Sequence, residues 1–117
     1  MTEFIIGERR SGKTTELIER SIVTGAPILA PSRCACQYIL TAAKELGYEN
    51  LPKPITITNI TKYNNNMRSI KDILEHGILI DELDITLQNL FGGIEVKAVT
   101  ITERAERNIT RLFVTTD

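Results

Sequence analysis

The sequence has little of what marks several classes of protein. Its 117 residues contain only two cysteines, Cys34 and Cys36, and their spacing suits neither a disulfide framework nor, by itself, a zinc site. The 14 basic and 15 acidic residues give a net charge of −1, so no overall positive field favours nucleic acid or an anionic membrane. We therefore expect free thiols, and we expect any contact with nucleic acid to be local.

Long hydrophobic runs are also missing. No apolar run approaches the roughly 18 residues of a membrane span, and the residues before Gly7, which include Glu3, are unlike a signal peptide. We expect a cytoplasmic protein without a membrane partner. The length of 117 residues, with 42% hydrophobic and 25% charged residues, predicts one globular domain over residues 1–117.

What is present is an alternation of short apolar runs and amphipathic stretches, which is typical of parallel strands joined by helices. Helices are predicted at residues 13–24, 67–76 and 83–91, and between Ser32 and Gly47. Strands are predicted at residues 4–6, 28–30, 54–58, 78–80, 96–101 and 112–114.

This order of elements predicts a three-layer α/β/α fold with a mostly parallel sheet. The run at residues 78–80 suits a central strand that is buried on both faces. A parallel crossover needs about a dozen residues or more, and fewer separate the last two strands, so we predict an antiparallel edge hairpin at the C-terminal end.

The loop after the first strand satisfies the Walker A pattern G-x-x-x-x-G-K-[ST] between a predicted strand and a predicted helix. Glycines let consecutive N–H groups point inward, and the helix start adds its positive dipole end, so phosphate is the expected ligand. We expect Lys13 to reach the outer phosphates and the Thr14 hydroxyl to bind Mg²⁺. The predicted nucleotide-binding residues are Gly7, Glu8, Arg9, Arg10, Ser11, Gly12, Lys13, Thr14 and Thr15.

Two carboxylates directly follow the apolar run at residues 78–80, as in a Walker B motif. We expect Asp81 to hold Mg²⁺, directly or through water. Glu82 is expected to orient and polarise a water for attack on the γ-phosphate, which is hydrolysis rather than transfer to an acceptor. In the alternative interpretation, Asp81, Glu82 and Asp84 form a solvated cap of the next helix, because acids favour that end.

On these motifs the chain resembles a P-loop NTPase of the additional-strand, catalytic-glutamate (RecA-like) division, like the first motor domain of helicases and phage terminases. Residues 28–33 resemble motif Ia, and residues 100–102 resemble motif III, also called sensor 1. The resemblance implies an Mg²⁺-dependent ATPase whose catalytic residues are Glu82, Lys13 and Thr102, with Thr102 touching the γ-phosphate or the attacking water. If the source is viral, the compartment is the host cytoplasm.

Helicases and terminases carry a second domain that supplies an arginine finger, and 117 residues leave no room for one. We therefore expect slow hydrolysis in isolation, and a homo-oligomer or partner protein that completes the site. Arg104, Arg107 and Arg111 are candidates for that finger, or are solvated surface arginines.

Nucleic acid is an expected partner on the same resemblance. The residues that would contact it are Arg33, Thr58, Asn59, Lys62 and Arg68.

Two alternative functions stay open. One is a nucleotide-binding accessory module with negligible hydrolysis. The other is a nucleoside kinase, because residues 11–18 are similar to those of zinc-containing thymidine kinases, although that family has a four-cysteine zinc ribbon. The sequence has no N-K-x-D guanine signature, so ATP is favoured over GTP by default.

Overall fold

A computed structural model gives the fold, and it describes residues 3–8, 11–61, 67–100 and 111–113. Both helices and short parallel strands are present, which confirms the α/β class. The elements in chain order are β1 (Ile5–Gly7), α1 (Lys13–Thr24), β2 (Ile28–Leu29), α2 (Arg33–Glu45), α3 (Ile57–Thr61), α4 (Met67–His76), β3 (Leu79–Ile80), α5 (Leu83–Leu90) and β4 (Arg111–Phe113).

The chain divides into two compact units. The first contains Met1–Lys13 and Lys97–Asp117, and the second contains Thr14–Val96. In the first unit β1 pairs with β4 in parallel, with Ile6 opposite Leu112. The predicted antiparallel hairpin at the C-terminal end is therefore wrong. The length of the last connection limited only a pairing between consecutive strands, and β4 instead pairs with the first strand of the chain.

The predicted strand at residues 96–101 is also absent where the structure describes it, because residues 96–100 form no strand. Residue 101 lies outside the described residues.

In the second unit the buried strand is β2. It pairs in parallel with β3 on one side, and Leu29 forms a parallel bridge with Ile55 on the other. Ile28 is 0% exposed and Leu29 is 3% exposed, whereas Ile80 on β3 is 41% exposed. The expectation that residues 78–80 form the strand buried on both faces is therefore wrong, and β2 takes that position.

Residues 54–58 were expected to form a strand, but only Ile55 pairs and α3 begins at Ile57. The cause is Asn59. Its side-chain Oδ1 accepts hydrogen bonds from the backbone N–H of Thr56 at 2.8 Å and from the Thr56 hydroxyl at 3.2 Å. Asn side chains offer the backbone such local bonds, which compete with a sheet ladder. The alternating pattern that favours a strand is overridden by this turn.

The predicted helices α1, α2, α4 and α5 form, with limits within about a residue or two of those that the pattern indicates. Ser32 caps α2, and its side-chain oxygen accepts a hydrogen bond from Ala35 N–H at 3.1 Å. Gly25 ends α1 with a φ of 81°, a left-handed conformation that glycine adopts without steric cost. The fully buried side chains that these helices contribute to the core include Ile18 and Ile39.

Helix α5 leaves large apolar side chains exposed. Leu83 is 43% exposed, Leu90 is 44% exposed and Phe91 just beyond the helix is 53% exposed. The buried residue of the helix is Thr86, which is 4% exposed. Among the described residues, no helix combines the length and hydrophobicity needed to cross a bilayer.

Candidate functional site

The loop between β1 and α1 closes on itself through a backbone turn. Gly7 ends β1, and the N–H of Ser11 donates to the carbonyl oxygen of Glu8 at 3.2 Å. Gly12 follows with a φ of 96°, and α1 begins at the next residue, Lys13. The strand, glycine loop and helix predicted from the Walker A pattern therefore form. Arg9 and Arg10 lie outside the described residues.

The side chain of Lys13 folds back over this loop. Its Nζ donates to the carbonyl oxygen of Gly7 at 2.6 Å and to that of Glu8 at 2.6 Å. A lysine ammonium carries three donors, and among the described residues two of them bond the loop, which leaves the third for an anion. The positive charge is thus fixed at the end of β1, where the motif requires it.

Two further features of the loop fit a phosphate group. The Oγ of Ser11 is buried and has no hydrogen-bond partner among the described residues. A Cβ placed on Gly12 would meet no atom within 4 Å, so the glycine is required by its left-handed backbone and not by crowding. Buried polar groups are nearly always hydrogen-bonded, and an anionic ligand in the loop would satisfy the Ser11 hydroxyl.

The first turn of α1 presents hydroxyl groups beside free backbone N–H groups. Thr14 and Thr15 are half-buried there, and the first N–H groups of a helix have no intrahelical partner. Glu16 in the same turn is a negative charge that would oppose an anion. Its carboxylate pairs with Arg20 at 3.2 Å, one turn later, which partly offsets that charge.

The predicted Walker B carboxylates follow β3 in the second unit. The Asp81 N–H donates to the carbonyl oxygen of Leu29 at 2.9 Å, which extends the pairing of β3 with β2 by one residue. Asp81 is half-buried and Glu82 is exposed. The backbone therefore holds the first carboxylate at the carboxyl end of a parallel strand, where α/β sheets bind ligands.

Glu82 has an unusual backbone conformation. Its φ of 52° and ψ of 65° lie in the left-handed region, and no other non-glycine residue among those described has a positive φ. Glu82 occupies the N-cap position of α5, yet its side chain makes no capping hydrogen bond. The helix-cap interpretation is therefore not supported for Glu82. Left-handed backbone at a residue with a Cβ is strained, and such strain clusters at functional sites.

Other predicted residues fall into three groups. Arg33 is exposed at the start of α2, and Cys34 and Cys36 both lie on that helix, with Cys34 exposed and Cys36 buried. Thr58 and Asn59 are exposed on α3. The residues that lie outside the described part of the chain are Lys62, Thr102, Arg104 and Arg107.

No metal cluster was predicted beyond the Mg²⁺ site, and the described residues contain no group of three or more His, Cys, Asp or Glu side chains that could hold a metal ion. Mg²⁺ bound with a nucleotide typically uses one or two protein oxygens and substrate phosphates rather than such a cluster. The pair of ligands predicted here, Thr14 and Asp81, is of that kind.

No protein-family model, curated protein or solved structure matches the chain. The functional assignment therefore rests on the residues of the loop and of the β3 end. Sequence reasoning missed one residue near the end of β3, Thr86, which is buried and whose hydroxyl donates to the carbonyl oxygen of Asp81. A threonine within a helical pattern carries no sequence signal that its hydroxyl will be buried and bonded to the preceding loop.

Proposed function

We propose that the chain is a minimal Mg²⁺-dependent P-loop nucleoside triphosphatase with ATP as its substrate, built on a three-layer RecA-like core. The observation that carries this proposal is the position of the Lys13 ammonium, 2.6 Å from the carbonyl oxygens of Gly7 and Glu8 at the start of α1. A fixed cation beside a helix N-terminus favours phosphate oxygens over other ligands.

Thr14 and Asp81 are the proposed Mg²⁺ ligands. A hydroxyl and a carboxylate oxygen are ligand types that suit this ion, which takes its remaining ligands from water and phosphate. When bound, Mg²⁺ neutralises the charge that develops on the phosphates during phosphoryl transfer. The assignment of both residues to one site follows from the order of the motifs in the sequence.

Glu82 is the proposed general base. Its carboxylate accepts a proton from water as the water oxygen bonds to the γ-phosphorus, and the bond to the bridging oxygen breaks to leave ADP and inorganic phosphate. Its exposed position without a capping hydrogen bond supports this role. Thr102 is the proposed contact to the γ-phosphate, on the motif resemblance alone.

We further propose that a second copy of the chain or a partner protein supplies an arginine finger, in nucleic-acid processing. An arginine finger accelerates phosphoryl transfer by roughly 10³ to 10⁵, so the isolated chain should hydrolyse ATP slowly. Turnover per chain should then rise with protein concentration or on addition of DNA.

The test compares Glu82→Gln with Glu49→Gln, a matched change at another exposed glutamate. Phosphate release should be abolished in E82Q and unchanged in E49Q, while both variants bind ATP with wild-type affinity by calorimetry. Unchanged release in E82Q would remove Glu82 from the mechanism. ATP binding without phosphate release at any protein concentration, with or without DNA, would instead indicate an accessory module, and phosphate transfer to a nucleoside would indicate a kinase.

A further inference from the structure

Helix α5 buries the hydroxyl of a threonine and leaves two of its leucines exposed. Thr86 is 4% exposed, while Leu83 and Leu90 on the same helix remain over two-fifths exposed at 43% and 44%. Burial of a hydroxyl is unfavourable unless it is hydrogen-bonded. The orientation of α5 therefore calls for a specific partner for Thr86.

The partner is the backbone on both sides of Glu82. The Thr86 hydroxyl donates to the carbonyl oxygen of Asp81 at 2.9 Å, and the Thr86 N–H donates to the carbonyl oxygen of Glu82 at 2.9 Å. The first carbonyl belongs to the peptide group before the Glu82 Cα, and the second belongs to the peptide group after it. Since the orientations of these two peptide groups define φ and ψ, both bonds of Thr86 restrain the backbone of Glu82.

That conformation needs such support. A φ of 52° crowds the Cβ of Glu82 against its own backbone, and residues persist there only when the surrounding structure holds them. A second bond links the same helix to the loop after β2, because the side-chain amide of Asn89 donates to the carbonyl oxygen of Pro31. Side chains of helix α5 are thus hydrogen-bonded to the backbone at Asp81 and at Pro31, and Glu82 is adjacent to Asp81.

We propose that Thr86 is a positioning residue, whose hydroxyl holds Glu82 in its left-handed conformation and so aims the Glu82 carboxylate for catalysis. The aiming of the carboxylate rests on the proposed hydrolysis, whereas the support of the Glu82 backbone by Thr86 does not. Without the hydroxyl, the Asp81 peptide group rotates and Glu82 relaxes toward right-handed backbone. Small misplacements of this kind reduce turnover by up to about 100-fold.

The experiment compares Thr86→Val, which keeps the shape but loses the hydroxyl, with Thr86→Ser, which keeps the hydroxyl. Ser21→Ala is the matched control, because Ser21 is 0% exposed and its hydroxyl donates to the carbonyl oxygen of Ala26 at 2.6 Å, five residues away along the chain. T86V and S21A each lose one buried hydroxyl-to-carbonyl bond. Only T86V should lose kcat, by about 10- to 100-fold, with ATP affinity unchanged, and T86S should restore most of it.

A second readout does not depend on activity. The amide-to-Hα coupling and the Cα chemical shift of Glu82, measured by NMR, report its φ and should change in T86V but not in T86S or S21A. Unchanged values in T86V, or equal loss of kcat in T86V and S21A, would overturn the inference. If the wild-type chain releases no phosphate with or without DNA while these signals behave as expected, the hydrolytic function fails and the role of Thr86 in holding Glu82 stands.

Discussion

The ammonium of Lys13 lies 2.6 Å from the carbonyl oxygen of Gly7, so the first residue of α1 is hydrogen-bonded to the last residue of β1. This bond holds the Lys13 charge beside the end of β1. An anion that enters the loop meets this charge together with the Ser11 hydroxyl, which has no hydrogen-bond partner in the part of the chain that the structure describes.

Gly12→Ala should weaken ATP binding through the backbone. The φ of Gly12 is 96°, and an added Cβ would meet no atom within 4 Å, so the substitution acts by strain rather than by collision. Gly47→Ala is the matched control, because Gly47 has a φ of 87° and equally open surroundings at the end of α2. Both variants should lose about 1–2 kcal/mol of unfolding free energy, measured in urea.

Only G12A should lose affinity for ATP in a calorimetric titration. If G12A binds ATP as tightly as G47A does, the left-handed conformation of Gly12 has no part in binding.

Residue periodicity predicted four of the five helices and the α/β class. The predicted limits of α1 and α4 agree with the structure, because Gly25 and Gly77 end those helices in left-handed conformations. The pairing of strands was not readable, since β1 pairs with a strand more than a hundred residues later and local pattern carries no partner information. The side-chain bonds of Asn59 that end the pairing at Ile55 were also not visible in an alternating pattern.

The site divides in a similar way. The Walker A pattern predicted the loop of residues 7–15 because the residue types themselves dictate the turn, the cation and the helix start. The left-handed backbone of Glu82 and its support by Thr86 could not be predicted, because both depend on how α5 packs. An apolar stripe predicts that a helix buries that stripe, and α5 instead buries its threonine.

Glu82→Gly should be more stable than Glu82→Ala. Both variants remove the carboxylate, but glycine adopts a φ of 52° without steric cost and alanine does not. We expect a difference of about 1 kcal/mol in unfolding free energy, after the greater chain entropy of glycine in the unfolded state is included. Urea unfolding measures it, and an E82A variant as stable as E82G would show that Glu82 is not left-handed in solution. Neither variant should release phosphate from ATP.

The two cysteines should differ in reactivity. Cys34 is exposed and Cys36 is buried on the same helix, and desolvation raises the pKa of the Cys36 thiol while the charge of Lys53 lowers it in part. Thiolates are the reactive species, so a thiol reagent should modify Cys34 rapidly and Cys36 slowly in the folded protein. Cys34→Ser should remove the rapid phase, and rapid modification of C34S would contradict the packing of α2.

The same shift predicts a pH dependence of stability. Because its pKa is raised by folding, the Cys36 thiol holds its proton more tightly in the folded state than in the unfolded state. Its contribution to the unfolding free energy is therefore complete below the ordinary pKa of 9.0 and is lost as the pH rises through the folded-state pKa. As the pH rises from 9.0 to the folded-state pKa of Cys36, the unfolding free energy of the wild type should fall more steeply than that of Cys36→Ala. Thermal unfolding measured from neutral to alkaline pH tests this. An equal fall of stability with pH in the wild type and in Cys36→Ala would contradict it.

The central claim is that the loop of residues 7–15 binds nucleotide phosphate, and calorimetric titration of the full chain with ATP and Mg²⁺ tests it most directly. The wild type should bind one ATP per chain. Lys13→Ala should weaken that affinity by about 10- to 100-fold, since a hydrogen bond to a charged group contributes about 1.5–3 kcal/mol, and Lys44→Ala on the exposed face of α2 should not. Absence of binding by the wild type, or equal affinity in K13A and K44A, would contradict the claim.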